Sequence, residues 1–568
     1  MNKNKKDTKI IIIGLDGATF DLIIPWVEQG KLKTLSRLLQ EGSFGVLKSV
    51  LPPNSASAWS SFMTGKNPGK HGIVDFHYHK DGTYELAFVS SQNRVGPAFW
   101  DITAKYSKKV GIINVPITYP PDKVNGFMIS GLGAPAFNEK AVHPPELYEE
   151  LQKKVPGYII KTFVRDYIRS GHLLKCKELF IKQVQNRYEC IKYLIKNKQW
   201  DLFIAVFTAT DHAQHFFWKY MDPDHPLYDP DEAALYGDTI YSVYKLIDSY
   251  LGEILEELND QTNLFIMSDH GAQPTNNKGL YLNNWLFEKG FLKFKENEIK
   301  SSNGLLPIKA LISAGKKFIP RRFKNRLKAI PFLKSKVENI FRWQNIDWTK
   351  TVAYSDVQTE TIRLNLKDRE PMGVVEPSQY QVIREEIIKK LKEFRDIETG
   401  DKIFSEIYRR EELYDGPYVT LAPDIICVQG NRKFLYSVHY LANSAFKHRE
   451  PIKIYSRDKL SSDPSPNAVH SMDGVFIAWG EIIKRGNMIN RAEITDIAPT
   501  VLYLMGFPIP SDMDGKIITD IFKDSFLQEN KVVYEEARPQ DICKKEEGGY
   551  TQEEEEEFKN SLKDLGYL

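Results

Sequence analysis

The sequence predicts an α/β fold in which a mostly parallel sheet, buried on both faces, is flanked by helices. Three observations predict it: short apolar runs recur along the chain, stretches of helical period separate them, and 568 residues at 42 % hydrophobic content supply a large core. Runs that are apolar throughout suit strands covered on both faces, and helical crossovers between them favour parallel order. One core usually stops growing at this length, so a large domain with one or two excursions is expected. No run approaches the roughly 20 apolar residues of a membrane span, and the protein is expected to be soluble.

Taken in order, the first expected strand is Lys9–Leu15. Its basic approach, Met1 to Lys9, leads into Ile10–Ile13 as a secretion signal would. A signal needs an apolar stretch of about 7–15 residues and a small-residue cleavage site, whereas here Gly14-Leu15-Asp16-Gly17 closes the run as a strand end. Further strands are expected at Val110–Val115, Phe127–Leu132, Asp201–Thr208, Asn263–Met267, Thr361–Leu366, Asp424–Val428 and Val475–Ala478. Helical periods cover Pro144–Val155, Leu173–Lys196, Ala234–Leu258 and Gln379–Phe394, and a helix runs from near Thr495 to Gly506. The acidic run Glu553–Glu557 opens a final solvated helix, since acids suit a helix N-terminus. No internal repeat is visible.

The expected organisation is a first part of the core over 1–290, an inserted basic helical excursion over 291–345, a small α/β excursion with return to the core over 346–530, and an acidic helical tail over 531–568. Residues 300–342 carry twelve Lys or Arg against the single acid Glu338. Three readings stay open for them: a solvated face, a lid that attracts anions, or a peripheral contact with an anionic membrane worth about 1 kcal/mol per basic residue. Overall, 77 basic against 75 acidic residues give a net charge of +2 and no pull toward nucleic acid. The four cysteines, Cys176, Cys190, Cys427 and Cys543, are far apart and contain no Cys-x-x-Cys pair. Neither a disulfide framework nor a thiolate zinc site is indicated, and a reducing cytoplasm is the expected setting.

Ligand sites of parallel sheets lie beyond the carboxyl ends of the strands, and four candidate residues follow expected strands closely: Asp16, Asp211, Asp269 and His270. Asp16 alone reads far more readily as a turn acid than as a metal ligand. Asp211 and His215 are four apart, so a helix starting near Thr210 sets both on one face, as helical residues sharing a metal require. Ser268-Asp269-His270-Gly271 brings oxygen and nitrogen donors together where a glycine permits a tight turn. His470 precedes another strand-like run. Ser55 lies in Leu51-Pro-Pro-Asn-Ser-Ala-Ser-Ala-Trp59, at an expected helix start where free backbone N–H groups favour an anion. Ser55 or Ser57 would serve there equally as a helix cap.

Together, Asp, Ser, Asp-x-x-x-His, Asp-His and His in this order form a donor set suited to two divalent ions. With Thr64-Gly65, Pro68 and His71-Gly72 at the expected offsets, the chain resembles the alkaline phosphatase superfamily, and within it the type I phosphodiesterases and nucleotide pyrophosphatases, over most of residues 8–285 and 465–520. The resemblance implies an alkaline-phosphatase-like sandwich and a phosphoric ester hydrolase. It implies that Asp211, His215 and His470 hold one metal, that Asp16, Asp269 and His270 hold a second, and that Ser55 bridges to the second as nucleophile. Zinc suits His and carboxylate donors, and manganese stays open in the absence of thiolates. The substrate would be a small phosphorylated molecule: a nucleotide, a sugar phosphate or a lipid headgroup.

Phe76 departs from that pattern, standing where the nucleotide pyrophosphatases have an asparagine that holds phosphate. Asn54 and Asn114 are candidate substitutes. Ser55-Ala-Ser-Ala-Trp59 lacks the proline and arginine of a sulfatase nucleophile, and no Asp-Ser nucleophile turn of a cofactor-independent phosphoglycerate mutase is present. Phosphomonoesterase or phosphotransferase chemistry and a non-catalytic phosphoglycan- or lipid-binding role are the alternatives.

Overall fold

In a computed structural model, residues 8–295, 346–356, 359–430, 433–439, 450–455, 466–537 and 549–565 are described. The basic segment 300–342 and Cys543 lie outside the described residues.

A ten-stranded sheet forms the centre. Its strands in chain order are β1 (Lys9–Leu15), β2 (Ser43–Lys48), β3 (Val110–Ile113), β4 (Gly126–Ile129), β5 (Val142–His143), β6 (Leu202–Phe207) and β7 (Thr262–Met267). After β8 (Gly271–Leu280) and β9 (Ala468–Ser471), which belong to a neighbouring sheet, β10 (Asp473–Trp479), β11 (Asn487–Met488) and β12 (Ala492–Glu493) complete it. The spatial order is β11-β2-β10-β7-β1-β6-β3-β4-β5, with β12 also on β2. The middle block, from β7 through β1, β6 and β3 to β4, is parallel, while β10 runs antiparallel to both β2 and β7 and β5 antiparallel to β4.

Burial on both faces explains the uninterrupted apolar runs. In β1, Ile11 and Ile13 enter the core on one side, and Ile10 and Ile12 enter the core on the other. Successive side chains of a strand point to opposite faces, so neither face tolerates a polar residue. Each buried isoleucine contributes roughly 1.5–3 kcal/mol.

The helices that place the site are α1 (Ser55–Thr64), α2 (Leu173–Asn197), α3 (Ala209–Met221) and α4 (Thr239–Glu256), followed by α5 (Ile497–Met505) and α6 (Gln552–Leu565). The helix expected over Ala234–Leu258 is two helices, Pro230–Tyr236 and α4. Gly237 separates them and lies against the end of α3, where a Cβ would come within 2.8 Å of the Tyr220 carbonyl oxygen. The turn is imposed by that close approach, while the apolar period continues across it.

The strands expected at Thr361–Leu366 and Asp424–Val428 are not part of the central sheet. As Thr361–Leu364 and Ile425–Gln429 they pair antiparallel with each other in a separate four-stranded sheet completed by Ala353–Tyr354 and Phe404–Arg409. This small lobe has its own core around Trp285, Tyr354, Ile362, Ile387 and Ile425. β8 ties the two parts together, pairing with β9 beside the central sheet at one end and with Leu435–Val438 and Ile452–Ile454 at the other. The acidic tail forms α6, whose Phe558, Leu562 and Leu565 pack in one cluster with Ala56, Ile73, Phe76 and Phe88. Among the described residues, no helix is long and apolar enough to cross a membrane.

Candidate active site

Three adjacent parallel strands, β7, β1 and β6, end side by side, and each delivers its polar residues at that edge. Asp16 follows β1, Asp269 and His270 follow β7, and Asp211 stands in the first turn of α3 after β6, with His215 one turn further on. β9, which pairs antiparallel with the start of β8, supplies His470. All six side chains are nearly or fully buried.

The imidazoles share one arrangement. Nδ1 of His215 lies 2.6 Å from the Ala468 carbonyl oxygen, Nδ1 of His470 is 2.7 Å from that of Pro53, and Nδ1 of His270 is 2.9 Å from that of Gly271. A carbonyl only accepts, so each Nδ1 carries a proton and each ring turns Nε2 toward the site. Those nitrogens converge; burial opposes a charge on His215, but the Asp211 carboxylate beside it raises its pKa. Nε2 of His215 and Nε2 of His470 are 3.0 Å apart, and they lie 3.2 Å and 3.6 Å from Asp211 Oδ1. Two ring nitrogens and a carboxylate oxygen this close suit a shared proton or a cation. Nε2 of His270 is 3.2 Å from Asp269 Oδ2 and 3.8 Å from Asp16 Oδ1. Neither of those two oxygens accepts a hydrogen bond although both are buried.

These donors fit divalent ions. Asp211, His215 and His470 form one group, and Asp16, Asp211 and His270 form another, with the ligand atoms in each group within 4.8 Å of one another. Asp211 stands in both groups, whereas the resemblance implied it for the first alone. The backbone carbonyls on Nδ1 are the outer partners that orient metal-bound histidines.

The electrostatics agree. Burial pushes the Asp16 carboxyl well above its ordinary range, and the charges of Asp269 and Asp211 push it further. Burial also raises Asp269, opposed by His270 and aided by Asp211. At Asp211 burial acts in the same direction but is outweighed by His215, His470 and His270, which hold it well below the carboxylate range. Burial and then the charge of His270, stacked 3.7 Å away, hold His470 well below its usual value. Two of the three carboxylates are thus disfavoured as anions, and the third is held by the imidazoles around it.

Ser55 is the first residue of α1. Asn54, not a serine, caps the helix: its Oδ1 accepts from the Ser57 N–H at 2.9 Å, and its Nδ2 donates to the Val74 carbonyl at 3.0 Å. The Ser55 hydroxyl is thereby released toward His270, its Oγ 3.2 Å from Nε2. Asn114 follows β3 with φ 62°, its Nδ2 donating to the Val206 carbonyl at 3.4 Å and its buried Oδ1 accepting no hydrogen bond. Phe76 is a core residue, edge-on to Phe558. His71 serves the loop: its Nδ1 accepts from the Ile73 N–H, which directs Nε2–H to Ser61 Oγ at 2.9 Å.

Several supporting residues carry no acid or imidazole and so escaped the sequence reading. The Trp59 indole N–H donates to Asp16 Oδ2 at 3.3 Å. Thr210 Oγ1 donates to the Asp16 carbonyl at 2.6 Å, Gln214 Nε2 donates to that of Gly17 at 2.8 Å, and Ser268 Oγ donates to that of Ala18 at 2.9 Å. Asn467 clasps α3 from β9's side, donating from Nδ2 to the Phe216 carbonyl and accepting the Lys219 N–H. The Thr210-x-x-x-Gln214 spacing, which shares its helix with Asp211 and His215, was the available signal.

Phosphonoacetate hydrolase from Sinorhizobium meliloti 1021, solved with phosphonoacetate, is similar in structure at TM-score 0.51 and 14 % identity, over 88 % of this chain and 95 % of that one. Human ectonucleotide pyrophosphatase/phosphodiesterase 5 gives TM-score 0.45 at 13 % identity, over 91 % and 100 %. The murine protein, in an inactive form in complex with AMP, gives 0.48 at 12 % identity over the same shares. No curated protein sequence matches the chain. The family model described as type I phosphodiesterase / nucleotide pyrophosphatase matches residues 10–448, which span Ser55 and every candidate metal ligand but His470. The donor groups at the strand ends thus belong to a chain that is a member of the type I phosphodiesterase and nucleotide pyrophosphatase family, in the alkaline phosphatase superfamily.

Proposed function

We propose that the protein hydrolyses phosphoric esters through a phosphoseryl intermediate on Ser55, with two divalent ions held by the two donor groups. The observation that carries this reading is the position of Ser55 Oγ: at the N-terminus of α1, 3.2 Å from His270 Nε2 of the second group. The first ion would be held by Asp211, His215 and His470, the second by Asp16, Asp269 and His270, with Asp211 within reach of both. Bound ions supply Lewis acidity, which lowers the pKa of a hydroxyl or water and neutralises charge on the transferring group.

The chain's own residues do the rest. The free N–H groups of the first turn of α1 face the anion. Ser55 Oγ forms the new bond to phosphorus as the ester oxygen departs, and water then breaks the phosphoserine bond and restores the hydroxyl. The Ser55 proton leaves with the departing ester oxygen and water later returns one to Ser55 Oγ, while the three histidines, with Nε2 turned to the ions, would take none. Zinc suits the donors, and manganese is the second choice.

Substrates are small phosphorylated molecules, such as a nucleotide, sugar phosphate or lipid headgroup. The phosphonoacetate bound in the Sinorhizobium hydrolase supports a small phosphorus oxyanion as the group recognised. The buried free thiols Cys176, Cys190 and Cys427 support a reducing, cytoplasmic setting. Ser55→Ala is expected to lower turnover of a chromogenic phosphodiester by at least about 10³-fold while leaving metal uptake by Asp211, His215 and His470 intact, and acid quenching of the wild type should trap phosphate on the Ser55 peptide, read by mass spectrometry. Unchanged turnover in the variant would remove the nucleophile, and a wild type that takes up metal without hydrolysing any phosphorylated metabolite would favour a binding role.

A further inference from the structure

We propose that Trp59 is a positioning residue of the second donor group, fixing one oxygen of Asp16 so that the other alone is offered to the ion. This rests on the two-ion reading above. Trp59 is fully buried and stands four residues after Ser55 on α1, so one face of one helix carries both the hydroxyl and the indole. The indole has a single donor and no acceptor. Away from water it is satisfied by Asp16 Oδ2, 3.3 Å away. With Oδ2 engaged, Oδ1 is left without a hydrogen bond 3.8 Å from His270 Nε2.

The ring has no room to turn. Gly14 of β1 lies beneath it, where a Cβ would come within 2.6 Å of Cη2 and 3.3 Å of Cζ2. Phe62 meets it edge-on with centroids 5.3 Å apart, and Phe99 supports Phe62 in the same way at 5.3 Å. A glycine in the middle of a fully buried strand is thus explained by the indole it admits. The consequence is a fixed, single-oxygen Asp16, held by the helix that also sets Ser55. Moving either would move the second ion relative to the nucleophile.

Trp59→Phe keeps an aromatic ring and removes the N–H, and Gly14→Ala leaves the N–H but pushes the ring. Metal-free wild type titrated calorimetrically with Zn²⁺ should take up two ions in two steps. In Trp59→Phe one step is expected to lose ~10- to 100-fold in affinity, as happens when an outer partner of a metal ligand is removed, while the other step keeps its wild-type value. The kcat for a chromogenic phosphodiester should fall at limiting metal and recover with excess Zn²⁺, a rescue that a packing defect would not show. Gly14→Ala should act in the same direction, and the double variant should be no worse than Trp59→Phe alone, because both changes break one contact. Two unchanged steps in Trp59→Phe, or two steps weakened equally, would overturn the role assigned to Trp59 and leave the two-ion reading standing. A wild type that takes up no ion would overturn both.

Discussion

At the scale of single residues, a histidine folded where it cannot carry charge makes stability depend on pH. Burial, then the positive charges of Arg94 and Lys66, lower His71 to about 3. The unfolded chain takes up this proton near the ordinary histidine value of ~6.5, so the folded state gains the full benefit above that pH. Stability is then lost as pH falls from ~6.5 toward 3, at about 1.4 kcal/mol per pH unit for this one group. His71→Gln should remove one proton's worth of that slope in urea unfolding at pH 7, 6 and 5. An unaltered slope would show that His71 is reached by water. The same residue shows what the sequence conveys. His71-Gly72 was legible as a landmark because its offset from Ser55 is local, and so was the Asp211-x-x-x-His215 pair. What no local pattern conveys is that His470 Nδ1 meets the carbonyl of Pro53, or that the Trp59 indole meets Asp16. Those pairings join segments that only the folded chain brings together.

At the scale of elements, Asn54 decides how α1 begins and therefore where Ser55 points. Its Oδ1 satisfies an otherwise free N–H of the first turn, and its Nδ2 ties the helix to the Val74 loop. Asn54→Ala should lose about 1 kcal/mol for the cap and more for the Val74 carbonyl left without its donor, whereas Asn54→Asp keeps the cap and loses only the tie. Urea denaturation separates the two. If the side chain also contacts substrate, KM rises in both variants; if it only caps, KM is unmoved. Strand and helix positions were largely legible because a strand covered on both faces must be apolar throughout. Partner choice was not. Thr361–Leu364 and Ile425–Gln429 have the same apolar character as β1, yet pair in the small lobe, and β10 enters the parallel block reversed. The break at Gly237 was hidden for a related reason: the carbonyl that forces it belongs to α3, a different element.

Across the whole molecule, segments from Asp16 to His470 meet at the carboxyl ends of the central strands, where burial and neighbouring carboxylates oppose the charges of Asp16 and Asp269. Asp16 and Asp269 are raised by burial and by neighbouring carboxylates. An acid raised in the folded state is released more readily by the unfolded chain, so above pH ~3.9 each destabilises the metal-free fold increasingly, until the pH passes its folded pKa. Bound ions reverse the balance: a ligand at 1,000 times its Kd adds about 4.1 kcal/mol to the folded state. Asp269→Asn should therefore change sign with conditions. In metal-free protein at neutral pH it removes a repelled charge and should raise the midpoint of thermal unfolding. With Zn²⁺ in excess it removes a ligand and should lower that midpoint below the wild type's, and chelation should shift the wild type far more than the variant. Midpoints that move in the same direction with and without metal would mean that Asp269 supports the fold by its hydrogen bond to the Gly17 N–H rather than by holding an ion.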